Sequence, residues 1–270
     1  MDLRGASAES VAALTEQLTA TVAGSPETAS TVADSLNAVA EAFRAEPALR
    51  RFATDASVPA EAKNGLVAQV FGGKLDQTAL DLVSGAVGRR WTHGGDLADG
   101  IERLAEIASV HAAGRDGARL TDELFDLSRL VGGAPELRDA LSDPLRTTAD
   151  KAGLLDDLLG GKVLPATLAL AKQALHGTYG TFAAALAVYR RLAADVHGEG
   201  VATVRVATPL GDAQLTRLTG ALAQQYGRPV HANVVVEPGL LGGVRVEIGD
   251  DVIDGTILTR LDDAGRLIAR

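Results

Sequence analysis

Two glycine–lysine runs are the first candidates for chemistry, because glycines followed by lysine cradle phosphate groups in nucleotide-binding loops. Gly72-Gly73-Lys74 recurs as Gly160-Gly161-Lys162. A phosphate loop needs an earlier glycine and a Ser or Thr after the lysine, and the first run has Ala68 and Leu75 at those positions. Both runs also follow predicted helices rather than strands. We therefore interpret each run as a helix C-terminus, where a lysine is favourable at the negative end of the helix dipole.

Other catalytic and metal-binding patterns are missing from the sequence. The five histidines show no metal-ligand spacing, and neither a His-Glu-x-x-His motif nor a Gly-x-Ser-x-Gly elbow occurs. Gly198 and Gly200 form part of a dinucleotide fingerprint, but Thr203 replaces its third glycine. The aspartates within 250–254 lack the spacing of a calcium loop, and we interpret them as a solvated turn. We therefore predict no catalytic residue, no metal site and no cofactor.

Composition narrows the class of partner. The net charge is −9 with no basic block, which argues against nucleic acid and against direct binding to anionic lipid. Aromatic residues make up only 3% of the chain, so the cores must be built from Ala, Leu and Val, as in close-packed helices. There is no cysteine for disulfides or thiolate chemistry. No stretch is apolar for long enough to span a bilayer, so any membrane association is expected to be indirect, through a partner.

The middle of the chain contains an internal sequence repeat. With a shift of 88 positions, residues 47–82 align without a gap on residues 135–170, with 12 identities in 36 positions. Four of the five lysines fall in matched pairs, Lys63 with Lys151 and Lys74 with Lys162. A duplicated unit of this size indicates a duplicated helical bundle, and it favours a binding or scaffold role.

Periodicity divides the chain into three predicted domains. Residues 1–96 form one helical bundle (the first copy), residues 97–198 form a second helical bundle (the second copy), and residues 199–270 form a small α+β domain. The helix near 97–110 closes the first bundle and could also open the second, an alternative that the sequence leaves open. Apolar periodicity predicts a helix at 182–196, the last of the second copy. Alternating residues predict strands at 201–207, 230–236 and 244–248 around a helix at 212–226, with Asn233 facing outward on the second strand, and a short helix follows from Thr256. The predicted fold is thus mostly α, with tandem duplicated helical bundles followed by a β-α-β-β domain.

The C-terminal run from Val236 to Thr256, followed by Arg260-Leu261, resembles the C-terminal signature of the delta subunit of F-type ATP synthases, the oligomycin-sensitivity-conferring protein family. Residues 204–210 resemble the strand-to-helix entry of that family, and residues 135–162 resemble its helical domain. The resemblance covers about residues 97–267. The signature residues carried over are Gly242, Gly243, Gly249, Asp254, Gly255 and Arg260.

The resemblance implies a non-catalytic stator subunit that holds the catalytic head against rotation, so that proton-driven torque yields ATP. Its helical domain would receive the N-terminal helix of an alpha subunit in a groove between two helices. Its C-terminal domain would grip the C-terminus of the b-subunit stalk. The expected location is peripheral, on the cytoplasmic face of the bacterial cell membrane.

By position, a groove in the second copy would draw on apolar residues of two helices, and ordinary core packing is the alternative for each residue. We expect Ala171→Glu to weaken head binding without unfolding the chain. The first copy offers a comparable set: Val11, Leu14, Leu18, Leu80, Val83 and Val87. The groove residues of the second copy are Ile101, Leu104, Ile107, Leu168, Ala171 and Leu175.

The usual family member has a single helical bundle, so the first copy is extra, and the chain resembles duplicated actinobacterial forms. The excess of arginine over lysine, 21 to 5, agrees with a GC-rich genome. Our hypothesis is that the first copy braces a second alpha N-terminus or the flank of the stalk. The competing class is a free-standing helical-repeat adaptor, which explains the duplication but not the C-terminal signature. An enzyme would need convergent polar residues in a pocket, and the sequence shows none.

Overall fold

A computed structural model describes residues 3–198, 200–240, 242–248 and 251–254. Short 3-10 turns at 114–116 and 174–176 supplement the helices. The strands are β1 (Gly200–Val206), β2 (Val230–Val236), β3 (Val244–Ile248) and β4 (Asp251–Asp254). The helices are α1 (Ala6–Val22), α2 (Pro26–Ala45), α3 (Pro47–Thr54), α4 (Ala60–Phe71), α5 (Gln77–Val87), α6 (Asp96–Ala112), α7 (Gly117–Gly133), α8 (Pro135–Ser142), α9 (Thr148–Leu159), α10 (Pro165–Gln173), α11 (Phe182–Val196) and α12 (Asp212–Tyr226).

The chain forms two compact units, Met1–Tyr189 and Arg190–Arg270. The predicted class, mostly α with a small α+β domain at the C-terminus, is confirmed. The predicted boundary at 96/97 falls inside the first unit. This boundary separates the two copies of the repeat, which together form one compact unit. The predicted three-domain division stays a prediction. The predicted helix from Thr256 lies outside the described residues.

The repeat is visible in the helix positions. α8 and α9 begin and end 88 residues after α3 and α4, and α10 begins 88 residues after α5. α6 lies close to the position expected for the counterpart of α1 in the second copy, and also for the counterpart of α11 in the first. It contacts α1, α2, α3 and α5 of the first copy and α7 and α10 of the second. The structure therefore supports the alternative in which this one helix is shared by both bundles.

α6 is buried on most of its circumference, as expected for a helix that two bundles share. Twelve of its 17 residues are buried. Two of them, Leu97 and Leu104, correspond across the repeat to Glu9 and Glu16 of α1, which are exposed. The first copy covers a face of α6 that is apolar, whereas the matching face of α1 is polar. α1 is thus the capped end of the helical array, in the manner of terminal repeats.

Both glycine–lysine runs end helices, as predicted. The Nζ atoms of Lys74 and Lys162 donate hydrogen bonds to the Val70 and Leu158 carbonyl oxygens, at 2.9 and 2.8 Å. These carbonyl groups lie in the last turns of α4 and α9, where carbonyl oxygens have no intrahelical N–H donor. Each glycine–lysine run therefore caps the C-terminus of a helix, once in each copy.

The C-terminal unit contains a four-stranded sheet with strand order β2-β1-β3-β4. β1 is parallel to β2 and antiparallel to β3, and β3 is antiparallel to β4. One face packs its alternating side chains, including Ala202, Val204 and Val246, around Leu222 of α12. The inward and outward alternation of β1 that the sequence predicts is therefore confirmed.

Two local predictions for this unit are wrong. Asp251 and Asp254 lie on a fourth strand, not in a turn, because the four residues pair with β3. The sequence hides this strand because it is very short and flanked by acidic residues. Asn233 was expected to face outward but is only 3% exposed. Alternation along β2 alone does not reveal what covers a residue in three dimensions.

Candidate functional site

A charged stripe runs along α6, whose other buried residues are mostly apolar. Asp99, Glu102, Arg103 and Glu106 follow one another at helical spacing and therefore lie on neighbouring positions of one face. Glu102 is 1% exposed and Glu106 is fully buried. A buried carboxylate is costly unless charged and hydrogen-bonding groups surround it. The partners of these two glutamates therefore define the most constrained polar region in the helical unit.

Glu102 connects the two copies. The Arg44 guanidinium on α2 forms an ion pair with Glu102, and its Nη2 also lies 3.0 Å from Asp99 Oδ1. From the second copy, Thr178 Oγ1 donates to Glu102, at 2.9 and 2.7 Å from the two carboxylate oxygens. Gln173 Nε2 donates to the Glu102 backbone carbonyl oxygen at 3.3 Å. One side chain thus receives donors from both sides of the shared helix.

Glu106 lies one turn further along. Arg103 Nη1 donates to it at 3.0 Å, and the Tyr179 hydroxyl donates to both of its oxygens, at 2.8 and 2.9 Å. Burial raises the pKa of Glu106 to about 7, although the Arg103 charge and the Tyr179 hydrogen bond pull it down. Burial and the Glu106 charge raise the pKa of the Tyr179 hydroxyl, which stays protonated. Its ring meets that of Tyr189 edge-on, with centroids 5.9 Å apart.

Two further charged contacts join helices of the helical unit. His176 Nε2 lies 3.3 Å from Glu41 Oε1 on α2, so it joins the second copy to the first. Lys172 Nζ lies 2.7 Å from Asp156 Oδ1. Burial raises the pKa of Asp34 on α2, and the charge of Lys172 offsets part of that rise. The His176 and Lys172 contacts each join two different helical segments of the same unit. Among the described residues, no three His, Cys, Asp or Glu side chains could hold a metal ion.

Four of the six predicted groove residues of the second copy are buried in this chain. Ile101, Leu104 and Ala171 are fully buried and Ile107 is 5% exposed. In the first copy, Val11 and Leu80 are half-buried and the other four are in the core. The groove stays a prediction, and the two residues of the second copy with surface left for a partner are Leu168 and Leu175, both half-buried.

The expectation that Ala171→Glu leaves the chain folded needs correction. Ala171 lies in the core at 0% exposure, so a glutamate there would bury an unpaired charge. Unfolding is then the expected outcome, and the variant cannot report on head binding. Leu168 is the better probe because part of its side chain is accessible.

The signature residues divide between described and undescribed parts of the chain. Gly242 and Gly243 have φ angles of 100° and 89°, in the left-handed region that favours glycine, just before β3. Asp254 lies at the end of β4, opposite Arg245 of β3. Gly249, Gly255 and Arg260 lie outside the described residues.

Sequence reasoning missed the polar cluster on α6. Tyr179 lies 88 positions after Trp91, its counterpart in the first copy, and its hydroxyl donates a hydrogen bond to Glu106. The available signal was the run of four charged residues at helical spacing in the middle of a helix that is rich in Ala, Leu and Ile. A charged stripe on a helix with two bundle partners has to be buried on at least one side. The partners themselves are Arg44, Gln173, Thr178 and Tyr179.

The polar residues of the helical unit cross-link its helices, an organisation that suits a scaffold or coupling protein. Residues 104–267 match the ATP synthase delta (OSCP) subunit family. The chain is 53% identical to ATP synthase subunit delta of Nocardioides sp., over 99% of this chain and 97% of that protein. It is 42% identical to the Streptomyces coelicolor ATP synthase subunit delta, over 99% and 98% of the two chains.

The chain therefore belongs to the ATP synthase delta (OSCP) subunit family. It is a structural, non-catalytic subunit of the peripheral stalk of F-type ATP synthase, serving ATP synthesis and hydrogen ion transport. The free-standing adaptor is not favoured, because the relatives match both the repeats and the C-terminal unit. None of the helices in the described part of the chain is long and apolar enough to cross a membrane.

Proposed function

We propose that the chain links the catalytic head to the b-subunit stalk. The helical unit binds the N-terminal helix of an alpha subunit, and the C-terminal unit binds the C-terminus of b. The subunit works on the cytoplasmic face of the bacterial membrane and reaches the membrane only through the complex. The observation that carries this proposal is the full-length identity to proteins named ATP synthase subunit delta.

The internal contacts of the helical unit fit such a role. A stator must resist torque without bending, so its helices must not slide past one another. Glu102 receives Arg44 from one copy and Thr178 from the other, and it is almost completely buried. Removing the cation from a buried ion pair costs several kcal/mol, so the Arg44–Glu102 contact favours a single arrangement. This supports a rigid connection between the two copies through α6.

The C-terminal unit exposes apolar side chains that suit a partner. Val252 and Ile253 on β4 are 55% and 37% exposed, and Val236 at the end of β2 is 39% exposed. Neighbouring apolar residues on an exposed strand are a common feature of binding surfaces. We place the contact with b on this unit, with Val252 as its first probe.

Calorimetric titration of the full-length chain with an alpha N-terminal peptide tests the head contact. Leu168 and Leu80 occupy matched positions in the two copies and are both half-buried. We expect Leu168→Glu to weaken binding about tenfold or more, which corresponds to about 1.4 kcal/mol. Circular dichroism confirms that each variant is folded. An unchanged affinity in a folded Leu168→Glu chain would contradict a groove in the second copy.

The matched variant Leu80→Glu tests the role of the first copy. If that copy anchors a second alpha N-terminus, the wild-type chain binds two peptides and Leu80→Glu binds one. If it braces the flank of the stalk, the peptide stoichiometry stays at one for both chains. In that case, Leu80→Glu should instead weaken binding of the b-subunit stalk.

The stalk contact is tested with a peptide from the C-terminus of the b subunit. Val252→Glu places a charge on the exposed surface of β4 and should weaken b binding by about tenfold. Leu145→Glu is the matched control, since Leu145 is 92% exposed but lies in the helical unit. Equal loss in both variants would argue against a specific contact at β4. Restoring proton-driven ATP synthesis to a synthase stripped of this subunit tests the complete function.

A further inference from the structure

Glu106 is surrounded by titratable and charged groups from three parts of the helical unit. Glu102 and Arg103 lie beside it on α6, and Tyr179 contributes its hydroxyl from the lead-in to α11, which we define as residues 177–181. Tyr189 on α11 is fully buried, and the charge of Glu106 acts on its hydroxyl. Arg44 on α2 faces the cluster through Glu102.

This geometry is unfavourable for two full negative charges. Glu102 and Glu106 are one helical turn apart and are 1% and 0% exposed. The balancing guanidinium groups are each partly solvated, with Arg44 and Arg103 side chains 30% and 28% exposed. Partly solvated cations offset only part of the cost of removing a carboxylate from water. Adding one proton to the cluster removes that cost at one carboxylate.

We propose that the cluster of Glu102, Arg103, Glu106 and Tyr179 is a proton-binding site inside the helical unit, in which Glu106 takes up and releases a proton while the chain stays folded.

The exchange has a simple atomic description. A proton from solvent adds to one carboxylate oxygen of Glu106, whose charge changes from −1 to 0. Tyr179 keeps a hydrogen bond to the other oxygen, but the bond is then between neutral groups and is weaker than its charge-assisted form. Arg103 loses its anionic partner and turns its partly exposed guanidinium toward solvent. The proton thus changes how Tyr179 holds the lead-in to α11.

The direction of the pH effect follows from the raised pKa of Glu106. An unfolded glutamate titrates near its ordinary value of 4.5, whereas the folded one titrates at about 7. Between these values the folded chain binds more protons than the unfolded chain, so stability is highest below the unfolded pKa and falls as pH rises through the folded one. From pH 5 to pH 8 we expect the contribution of Glu106 to the folding equilibrium constant to fall on the order of a hundredfold.

The direct test is a titration of the full-length chain with carboxyl-¹³C-labelled glutamate, followed by NMR. We expect one glutamate signal with a midpoint near 7, absent from Glu106→Gln. A midpoint below about 5.5 for that signal would overturn the proposal. The measurement uses the free chain, so its result is independent of any partner contact.

The pH dependence of unfolding in two variants is a second test of the proton-binding site. The unfolding midpoints of Glu106→Gln and wild type should converge near pH 5 and diverge toward pH 8, with the variant more stable. Glu16→Gln, at an exposed position on α1, should show no such divergence. If Glu106→Gln does not fold, Tyr179→Phe serves instead, because losing the Tyr179 hydrogen bond should raise the Glu106 midpoint. A Tyr179→Phe midpoint at or below the wild-type value would also reject the site.

Discussion

Arg44 and Glu102 are 58 positions apart in the chain and form an ion pair that fixes α2 of the first copy against the shared helix α6. On the other side of Glu102, the Thr178 hydroxyl brings in the second copy. The two copies of the repeat are therefore joined through one side chain. This relationship makes the extra N-terminal copy part of the same compact unit as the second copy.

Replacing Arg44 with methionine should strongly destabilise the helical unit. The substitution keeps most of the side-chain volume but leaves Glu102 buried beside fewer donors, at a cost of about 3 kcal/mol. Urea unfolding of the full-length chain measures the change. Arg51→Met, at an exposed position on α3, is the control and should change stability by less than about 0.5 kcal/mol. Equal effects of the two variants would mean that the Arg44 pair contributes little.

Gly100→Ala should destabilise the chain even though alanine favours helices. A Cβ at Gly100 would lie 2.7 Å from the Trp91 ring and 2.9 Å from Val11 Cγ2. The Trp91 ring cannot yield freely because its Nε1 donates to the Ala86 carbonyl oxygen at 2.9 Å. Overpacking of this kind costs about 1–3 kcal/mol, measurable as a lower unfolding midpoint in urea.

The control for this variant is a helical glycine with open space. Nothing lies within 4 Å of a Cβ at Gly153 of α9. Gly153→Ala should therefore stabilise the chain by about 0.5–1 kcal/mol, through helix propensity and a less flexible unfolded chain. A stabilising Gly100→Ala would mean that α1 and the Trp91 loop move away from α6 at little cost.

Deleting residues 1–95 should not leave a well-behaved second bundle. The deletion strips the cover from the apolar face of α6, which includes Leu97, Ile101 and Leu104, and removes Arg44 from Glu102. We expect the shortened chain to self-associate or lose helicity, as seen by light scattering and circular dichroism. A stable helical monomer would show that the second copy folds without the first.

Thr147→Ala tests a cap that only the second copy has. Thr147 and Asp150 form a reciprocal capping box at the start of α9, whereas the matching position before α4 is Pro59. Loss of the cap should cost about 1 kcal/mol in urea unfolding. Thr148→Ala, at the neighbouring exposed position, is the control and should have a smaller effect.

The same cap gives a pH signature of opposite sign to that of Glu106. Hydrogen bonds from the Thr147 side chain and backbone lower the pKa of Asp150. A lowered folded pKa means that the contribution is present above the unfolded value and is lost as pH falls through the folded one. NMR titration should find the Asp150 midpoint below its ordinary value of 3.8 in the wild type and closer to it in Thr147→Ala.

Local patterns in the sequence predicted the elements well. The bounds predicted for α11, α12, β2 and β3 agree with the structure, because apolar periodicity and turn residues are encoded within each segment. The glycine–lysine runs were also interpreted correctly as helix ends. The shared helix could be proposed because it lies at the end of the first copy and at the start of the second.

The polar cluster could not be predicted, because its contacts are between distant parts of the chain. Glu102 meets Thr178 across 76 positions, and no periodicity specifies that pairing. The burial of Asn233 was missed for a similar reason, since alternation specifies a face of the sheet but not what lies over it. The predicted groove residues show another limit of sequence analysis. An apolar binding surface and a buried core have the same sequence pattern, so the pattern alone does not distinguish them.

The polar face of α1 bears on how this chain could have grown. A further bundle added before α1 by another duplication would have to pack against Glu9 and Glu16, where α6 offers Leu97 and Leu104. Lengthening the array therefore requires several coordinated substitutions, and shortening it uncovers α6. Among relatives of this chain, we therefore expect insertions and deletions to fall in surface loops rather than to change the number of helical repeats.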